Sequence, residues 1–381
     1  MDETNKLKSV MFVINTLSGG GAERVLSILC NEIASRDTEV YLCFTGKNSK
    51  VLPYRLDERV NTIYCYGRYI PKGYDGWFLC RYKLYTAVKR FKPEVIVSFM
   101  QGSTLTVLKT FKKQSISLVM AMRGVVGEIS QRMILDLSKL FYRIDGAVYM
   151  TDEQKKSYNE CFLFPKDIME TVITNPILPS PLWNVPRPSK KKEIIAVGRL
   201  HYQKNFDMLI RAFSRLEKKF PEWILTIYGD GSYRRELEEL IQVNNLTSKV
   251  FLPGFVSDIE EKFHEASFFV QTSMVETFGN VLAEAMCLGT PCIAAECAGG
   301  GGPRKLIEDG ISGVIIENNN EEMLVSAMRR YMEDPSYAQR VGDRAKELRS
   351  KHLLPVIVDS WLEFLYTCSK KYKSDSSKGY T

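Results

Sequence analysis

The chain has 381 residues, 45% of them hydrophobic, and a formal net charge of +7, so at about 150 residues per domain it is long enough for two or three folded domains and too apolar for a disordered chain. No stretch approaches the roughly 18 to 20 uninterrupted apolar residues of a membrane span, and MDETNKLK at the start has no apolar leader core, so a cytoplasmic protein is expected. Nine cysteines, an odd number with no CxxC pair and no partnering histidine cluster, read as reduced core residues, which leaves no disulfide framework and no metal site to expect.

Strand-like runs followed by helical periodicity recur from the beginning: SVMFVINT, a helix over Ala22 to Ser35, then EVYLCF, EVIVSF, SLVMAM, GAVYM and TVITN. Alternating βα units predict an α/β, doubly wound parallel sheet over residues 1–178. Between the first strand and the first helix lies Ser18-Gly19-Gly20-Gly21-Ala22-Glu23-Arg24. Without a Cβ at Gly19, Gly20 or Gly21 the backbone there can approach a phosphate closely. Glu23 either orients an acceptor or favours the helix N-terminus.

Residues 66–93 hold seven Lys or Arg against one acid, Asp75, with Trp77, Phe78, Tyr82, Tyr85 and other rings interleaved. Such a surface suits an anionic membrane or an acidic, lipid-linked acceptor, or is a solvated helix face. No nucleic-acid module accompanies the charge, so no nucleic-acid partner is expected.

Five prolines between Pro176 and Pro188 suggest an interdomain linker over 179–192. The βα pattern then restarts over 193–355 with EIIAVGR, a helix from about Phe206 to Phe220, WILTIYG, a charged helix over Tyr233 to Asn244, KVFLPG, SFFVQTS and TPCIAA. Two Rossmann-like domains facing a central cleft are therefore predicted, with ligands beyond the carboxyl ends of the strands. Residues 356–381 divide into a last helix around Val356 to Cys368 and a polar tail expected to stay mobile.

Inside the second series, VETFGNVLAEAMCLGTP places a lone carboxylate, Glu284, in an otherwise apolar helical run. A helix apolar on all sides is normally buried, and a buried carboxylate needs hydrogen-bond partners such as a pair of sugar hydroxyls. Glu276 lies eight positions earlier, before Phe278, Gly279 and Asn280, where a helix N-terminus would offer backbone N–H groups to a phosphate.

Glu276-x7-Glu284 followed by Gly289-Thr290-Pro291 resembles the donor-site motif of family-4 glycosyltransferases, retaining enzymes of the GT-B fold. Further blocks fall in that family's order: Gly198-Arg199-Leu200 with Lys204-Asn205, then Tyr228-Gly229-Asp230-Gly231, then Leu252-Pro253-Gly254-Phe255-Val256, and the glycine loop near the start. Together they span residues 9 to 317. The resemblance implies that Arg199 and Lys204 neutralise the diphosphate of a nucleotide-sugar and that Glu276 holds donor sugar hydroxyls. It also implies that Glu284 holds the ribose, that Gly198, Gly229, Asp230, Phe255 and Val256 line the donor pocket, and that Phe278, Gly279 and Asn280 add to it. The last helix should cross back onto the N-terminal domain. Where many members carry a histidine after a strand of the N-terminal domain this chain has Arg123, expected at the reaction centre or in a structural ion pair. The later Gly-Gly-Pro-x-Glu loop departs as well, reading Gly301-Gly302-Pro303-Arg304-Lys305.

No DxD pair occurs, so metal-independent transfer is expected, with no cofactor. The expected enzyme is a retaining hexosyltransferase acting with a UDP-sugar on a glycan or lipid-linked acceptor in cell-envelope polysaccharide biosynthesis, in the cytoplasm or at the inner face of the membrane. A nonhydrolysing UDP-sugar epimerase and a catalytically silent nucleotide-sugar-binding scaffold are the rivals. His201, between Arg199 and Lys204, is expected to be a solvated or capping residue, and His264 a structural one.

Overall fold

Near-continuous apolar strands separated by amphipathic helices can bury their side chains only if both faces of a parallel sheet are covered. The computed structural model describes residues 6–17, 20–47, 54–67, 74–111, 116–188 and 191–378, with only the backbone given for Tyr74 and for 372–378. These residues form two compact units, Met1–Pro176 with Leu354–Thr381, and Ile177–Leu353.

Unit 1 runs β1 (Ser9–Ile14), α1 (Gly21–Ser35), β2 (Glu39–Phe44), β3 (Val60–Tyr64), α2 (Tyr74–Phe91), β4 (Val95–Phe99), α3 (Gln101–Thr110), β5 (Ser117–Ala121), α4 (Gln131–Ser138), β6 (Gly146–Tyr149), α5 (Asp152–Cys161) and β7 (Met169–Val172). Its strands pair in parallel in the order β3-β2-β1-β4-β5-β6-β7. Alternate residues of β1 serve opposite layers. Val10, Phe12 and Ile14 share a core with Val25, Leu29 and Ile33 of α1, while Met11 and Val13 share one with Cys80 and Leu84 of α2 and Val107 of α3.

Unit 2 runs β8 (Lys191–Val197), α6 (Phe206–Ser214), β9 (Ile224–Tyr228), α7 (Arg234–Val243), β10 (Val250–Gly254), α8 (Ile259–Glu265), β11 (Ala266–Gln271), α9 (Asn280–Cys287), β12 (Cys292–Ala295), α10 (Gly302–Leu306), β13 (Val314–Ile316), α11 (Glu321–Glu333), α12 (Pro335–Ala345) and α13 (Leu348–His352). Its parallel order is β10-β9-β8-β11-β12-β13. Both sheets therefore reverse direction beside their first strand, between β1 and β4 and between β8 and β11. In doubly wound sheets that reversal opens a crevice at the carboxyl ends of the two strands.

The chain closes with α14 (Leu354–Lys378), which belongs to unit 1. Trp361 of α14 is fully buried and stacks on Phe99 at 6.2 Å between ring centroids, and Asp359 pairs with Arg36 at the end of α1. Beyond Cys368, where a mobile polar tail is expected, the backbone stays helical to Lys378, because helix propagation is cheap once a packed helix precedes it.

The proline-rich stretch expected as a linker is built into unit 2. Ile177 N donates to His352 O at 2.8 Å, and Pro181–Asn184 form a 3-10 turn. Arg187 donates to the carbonyls of His264 (3.1 Å), Gly289 (2.8 Å), Phe263 (3.1 Å) and Ala266. Prolines remove backbone donors, and the half-buried Arg187 guanidinium fastens the stretch to unit 2 with side-chain donors. Two strands went unpredicted, β3 and β13, both short and at sheet edges. All nine cysteines are free, and the sulfurs of Cys43 and Cys65 lie 3.7 Å apart.

Candidate active site

The reversal point of unit 2 is where opposite charges meet. After β8 the chain passes Gly198, Arg199 and Leu200, makes a 3-10 turn over Tyr202–Lys204, and enters α6 through Asn205. His201 caps that turn, its Nδ1 accepting from Gln203 N, and Asn205 takes the left-handed conformation (φ 53°) that asparagine tolerates better than most residues. The Asn205 amide donates to Asn319 Oδ1 at 2.8 Å.

Two hydrogen bonds tie this turn to the chain leaving β11. Thr272 Oγ1 donates to Lys204 O (2.8 Å), and Met274 N donates to Gln203 O (2.8 Å). Residues far apart in sequence are thereby brought together, and Lys204 Nζ lies 2.8 Å from Glu276 Oε2. Both side chains are about a quarter exposed, 27% and 24%. An ion pair so open to solvent contributes little to stability, and it presents a cation and a carboxylate to whatever enters.

Arg199 is exposed and makes no ion pair among the described residues. Gly229, at φ 131°, sits so close to the neighbouring loop that a Cβ there would lie 1.9 Å from Gly198 O, so only glycine lets the two strand ends meet. Asp230 carries an exposed carboxylate that accepts from Arg234 Nε (3.0 Å) and from Gly231 N (2.8 Å), and the Arg234 contact holds it below the usual carboxylate range. Phe255, expected to line the donor pocket, is 84% exposed, and Val256 is half-buried.

Helix α9 begins at Asn280 behind Gly279, which caps it at φ 89°. The expectation that α9 is buried all round needs correction. Leu282, Ala283, Ala285, Met286 and Cys287 are buried, but Asn280, Val281 and Glu284 form a half-exposed stripe. Positions i, i+1 and i+4 share one face of a helix, so Glu284 stands over Asn280 on the open side. Phe278 departs in the other direction: it is 2% exposed and packs against His352, ring centroids 5.7 Å apart, so its backbone alone is left for a ligand. Burial pushes the His352 imidazole down to about 4, so it is neutral at pH 7. His264 is buried in α8 with Nε2 3.1 Å from Val185 O. Arg304, in the loop that departs from the family pattern, pairs with Glu296 at 2.5 Å.

In unit 1, Gly19 lies outside the described residues. Gly20 caps α1, its N–H donating to Glu23 Oε2 at 3.1 Å, and Gly21 opens the helix. The Glu23 carboxylate thus satisfies a helix N-terminus. Arg123, at the end of β5, is 7% exposed. It makes no ion pair among the described residues. Its Nη1 donates to Asn175 Oδ1 (3.1 Å) and its guanidinium lies against the rings of Phe99 (4.8 Å) and Trp361 (5.3 Å), while Nε and Nη2 are buried without partners. Burial pushes it down to about 9. The structural alternative for Arg123 was an ion pair, and what holds it instead is a cation–π sandwich between β4 and α14.

Sequence reasoning missed Gln271, Thr272 and Asn319. The signal available was a polar residue closing each of two apolar strands or turns. Met100 was also missed: it holds φ 71° at the reversal point of unit 1, a conformation that a non-glycine residue rarely adopts.

Residues 182–348 match the family described as glycosyl transferases group 1. The chain is 25% identical to an uncharacterized glycosyltransferase of Haemophilus influenzae over 92% of its own length and 97% of that relative. It is 23% identical, over 94% of itself and 98% of the relative, to the GalNAc-alpha-(1->4)-GalNAc-alpha-(1->3)-diNAcBac-PP-undecaprenol alpha-1,4-N-acetyl-D-galactosaminyltransferase of Campylobacter jejuni. Among solved structures, S. aureus TarM superposes with a TM-score of 0.81 at 15% identity, covering 95% of this chain and 99% of that one.

Proposed function

We propose, for a chain that is a glycosyltransferase of the GT-B fold, that it moves a hexose or N-acetylhexosamine from a nucleoside diphosphate sugar, with UDP the leading base, to a glycan acceptor such as a lipid-linked oligosaccharide or a surface-polysaccharide intermediate. The observation that carries this is the open Lys204–Glu276 pair at the reversal point of unit 2, beside the N-terminus of α9. A transferred sugar leaves behind a diphosphate dianion and passes through an oxocarbenium-like state, so the site needs positive charge and fixed hydrogen-bond partners more than a covalent nucleophile.

Lys204 and Arg199 take the diphosphate, Lys204 exchanging part of its contact with Glu276 for phosphate oxygens. Glu276 turns to the sugar hydroxyls, Glu284 on its half-open stripe to the ribose, and Gly198, Gly229, Asp230 and Val256 shape the pocket, with Phe255 folding onto the base. The backbone N–H groups at Gly279 and Asn280 complete the phosphate contacts. The anomeric C–O bond to phosphate breaks, a bond from the acceptor oxygen forms on the same face, and the acceptor proton passes to the departing phosphate oxygen. Anomeric configuration is thereby retained. In unit 1 the backbone at Gly20 and Gly21 approaches the donor diphosphate, Glu23 orients the acceptor, and Arg123 supports the reaction centre.

The acceptor class draws support from the Campylobacter jejuni relative, whose name carries an undecaprenol-linked substrate. A lipid-linked acceptor in turn suits the exposed face of α2. There Trp77, Phe78, Tyr82 and Tyr85 are exposed, with Arg81 over Trp77 (4.4 Å) and Lys89 over Tyr85 (5.7 Å). No helix among the described residues is long and apolar enough to cross a membrane, and the proposed contact is that of an exposed basic, aromatic helix face with an anionic surface.

The deciding experiment is a thermal-shift and calorimetric screen of the full chain, with no metal added, against UDP, GDP, ADP and their sugars, followed by transfer assays with a lipid-linked glycan and NMR assignment of the product anomer. Binding of one nucleotide family and an α product from an α donor support the proposal. An inverted product sinks retention, and sugar interconversion without acceptor turns the assignment to an epimerase. For the membrane face, binding to anionic vesicles should fall by about 1 kcal/mol for each of Arg81, Lys83, Lys89 and Arg90 neutralised, and unchanged binding removes that contact.

A further inference from the structure

Gln271 ends β11 at the carboxyl edge of the unit 2 sheet, one residue before the Thr272 hydroxyl that holds the Lys204 turn. The rest of the strand, ASFFV, is apolar but for Ser267, and alternation puts Gln271 with Phe269 on the face that packs on α8. An aliphatic residue would satisfy this place in the sheet. Gln271 is only 6% exposed, and its Nε2 is buried with no hydrogen-bond partner. Buried amide donors without partners are rare in folded proteins, and each calls for a physical reason.

The surroundings supply one. Both amide atoms lie 3.6 Å from the point where a Cβ of Gly279 would stand. Gly279 has no Cβ and holds φ 89°, so no side chain at that position separates the amide from the first turn of α9. That helix spans eight residues, and its first N–H groups have no acceptor within the helix. A side-chain donor with no partner, nine-tenths buried, therefore lies at the N-terminal end of α9.

We propose that Gln271 is a donor-binding residue whose Nε2–H donates to an oxygen of the distal phosphate of the nucleotide-sugar, from beneath Gly279. This rests on the nucleotide-sugar function proposed above. It makes Gln271 a determinant of selectivity for nucleoside diphosphates over monophosphates, since a monophosphate has no oxygen within reach of it.

The test is calorimetric titration of the full chain with UDP, GDP and ADP and with the matching monophosphates, for wild type, Gln271→Met and Gln271→Glu. Methionine keeps the volume and removes the donor; glutamate keeps the shape and sets an oxygen against phosphate. For the preferred base, Gln271→Met should weaken diphosphate binding about 10- to 100-fold, the worth of a hydrogen bond to a charged group, and leave monophosphate binding within about twofold. Gln271→Glu should lose more. Undiminished diphosphate binding by Gln271→Met overturns the proposal, as does a parallel loss for both nucleotide classes, which would make the amide a prop under α9. A wild-type chain that binds no diphosphate overturns the donor site itself, whereas a binding wild type with indifferent variants overturns the role of Gln271 alone.

Discussion

The two units share one strand order and use its reversal point differently. In unit 2 the loops after β8 and β11 set Lys204 against Glu276 in partial contact with solvent. In unit 1 the cation that follows β5, Arg123, is buried between Phe99 and Trp361. The same topology thus builds a charged, partly solvent-exposed edge in one case and a core fastening in the other. Topology fixes where a site can lie, and the loop residues decide whether charge there faces ligand or packing.

Substitutions should separate the two edges. The largest effect is expected from Trp361→Ala, which empties a fully buried ring site against Phe99 and Arg123 and should cost about 3–5 kcal/mol of stability in denaturant titrations. A loss below 1 kcal/mol would mean that α14 does not fasten unit 1. Lys204→Ala should reduce turnover about 100- to 1,000-fold with the melting temperature nearly unchanged, since it removes charge stabilisation at the leaving group and an ion pair of little structural worth. Activity within a few-fold of wild type would make the two edges alike.

A pH series separates them further. His352, beside Phe278 in unit 2, has an imidazole pushed from 6.5 down to about 4 by burial. The unfolded chain takes up the proton first as pH falls, so the stability contributed by neutral His352 is complete above pH 6.5 and is lost as pH drops toward 4. The loss should approach about 3 kcal/mol and disappear in His352→Gln; identical profiles for the two proteins would exclude it. The smallest expected change is in Glu284→Ala, which should weaken nucleotide binding by about 1.5–3 kcal/mol without unfolding the chain. Normal affinity would take Glu284 out of the ribose site and leave it as a solvated residue on the open stripe of α9.

Much of this was legible beforehand because period-two and near-continuous apolar runs, broken by glycine and proline, dictate βα units whatever their neighbours. The strands from SVMFVI to TPCIAA follow that rule, while Val60–Tyr64 and Val314–Ile316 escape it because short edge strands bury too little to need a strong pattern. At the site, the resemblance to a family motif pointed to Arg199, Lys204, Glu276 and Glu284, but exposure did not follow from it. Glu284 lies on a half-open stripe although its helix is apolar, and Phe278 is buried where a ligand contact was expected. Burial depends on which neighbours cover a face, and those neighbours come from distant parts of the chain.

The sequence by itself determined the alternation of strands and helices, the positions of the loops that carry charge, and the glycines that let Gly229 and Gly279 turn. Those are local properties, set by backbone sterics and by the spacing of apolar side chains. Only the tertiary structure decided that Lys204 meets Glu276 across 72 residues, that Arg123 packs under Trp361, and that Gln271 is left with an unsatisfied donor beneath Gly279. Contacts of that kind depend on sheet order and on hydrogen bonds between loops, and no local pattern encodes them.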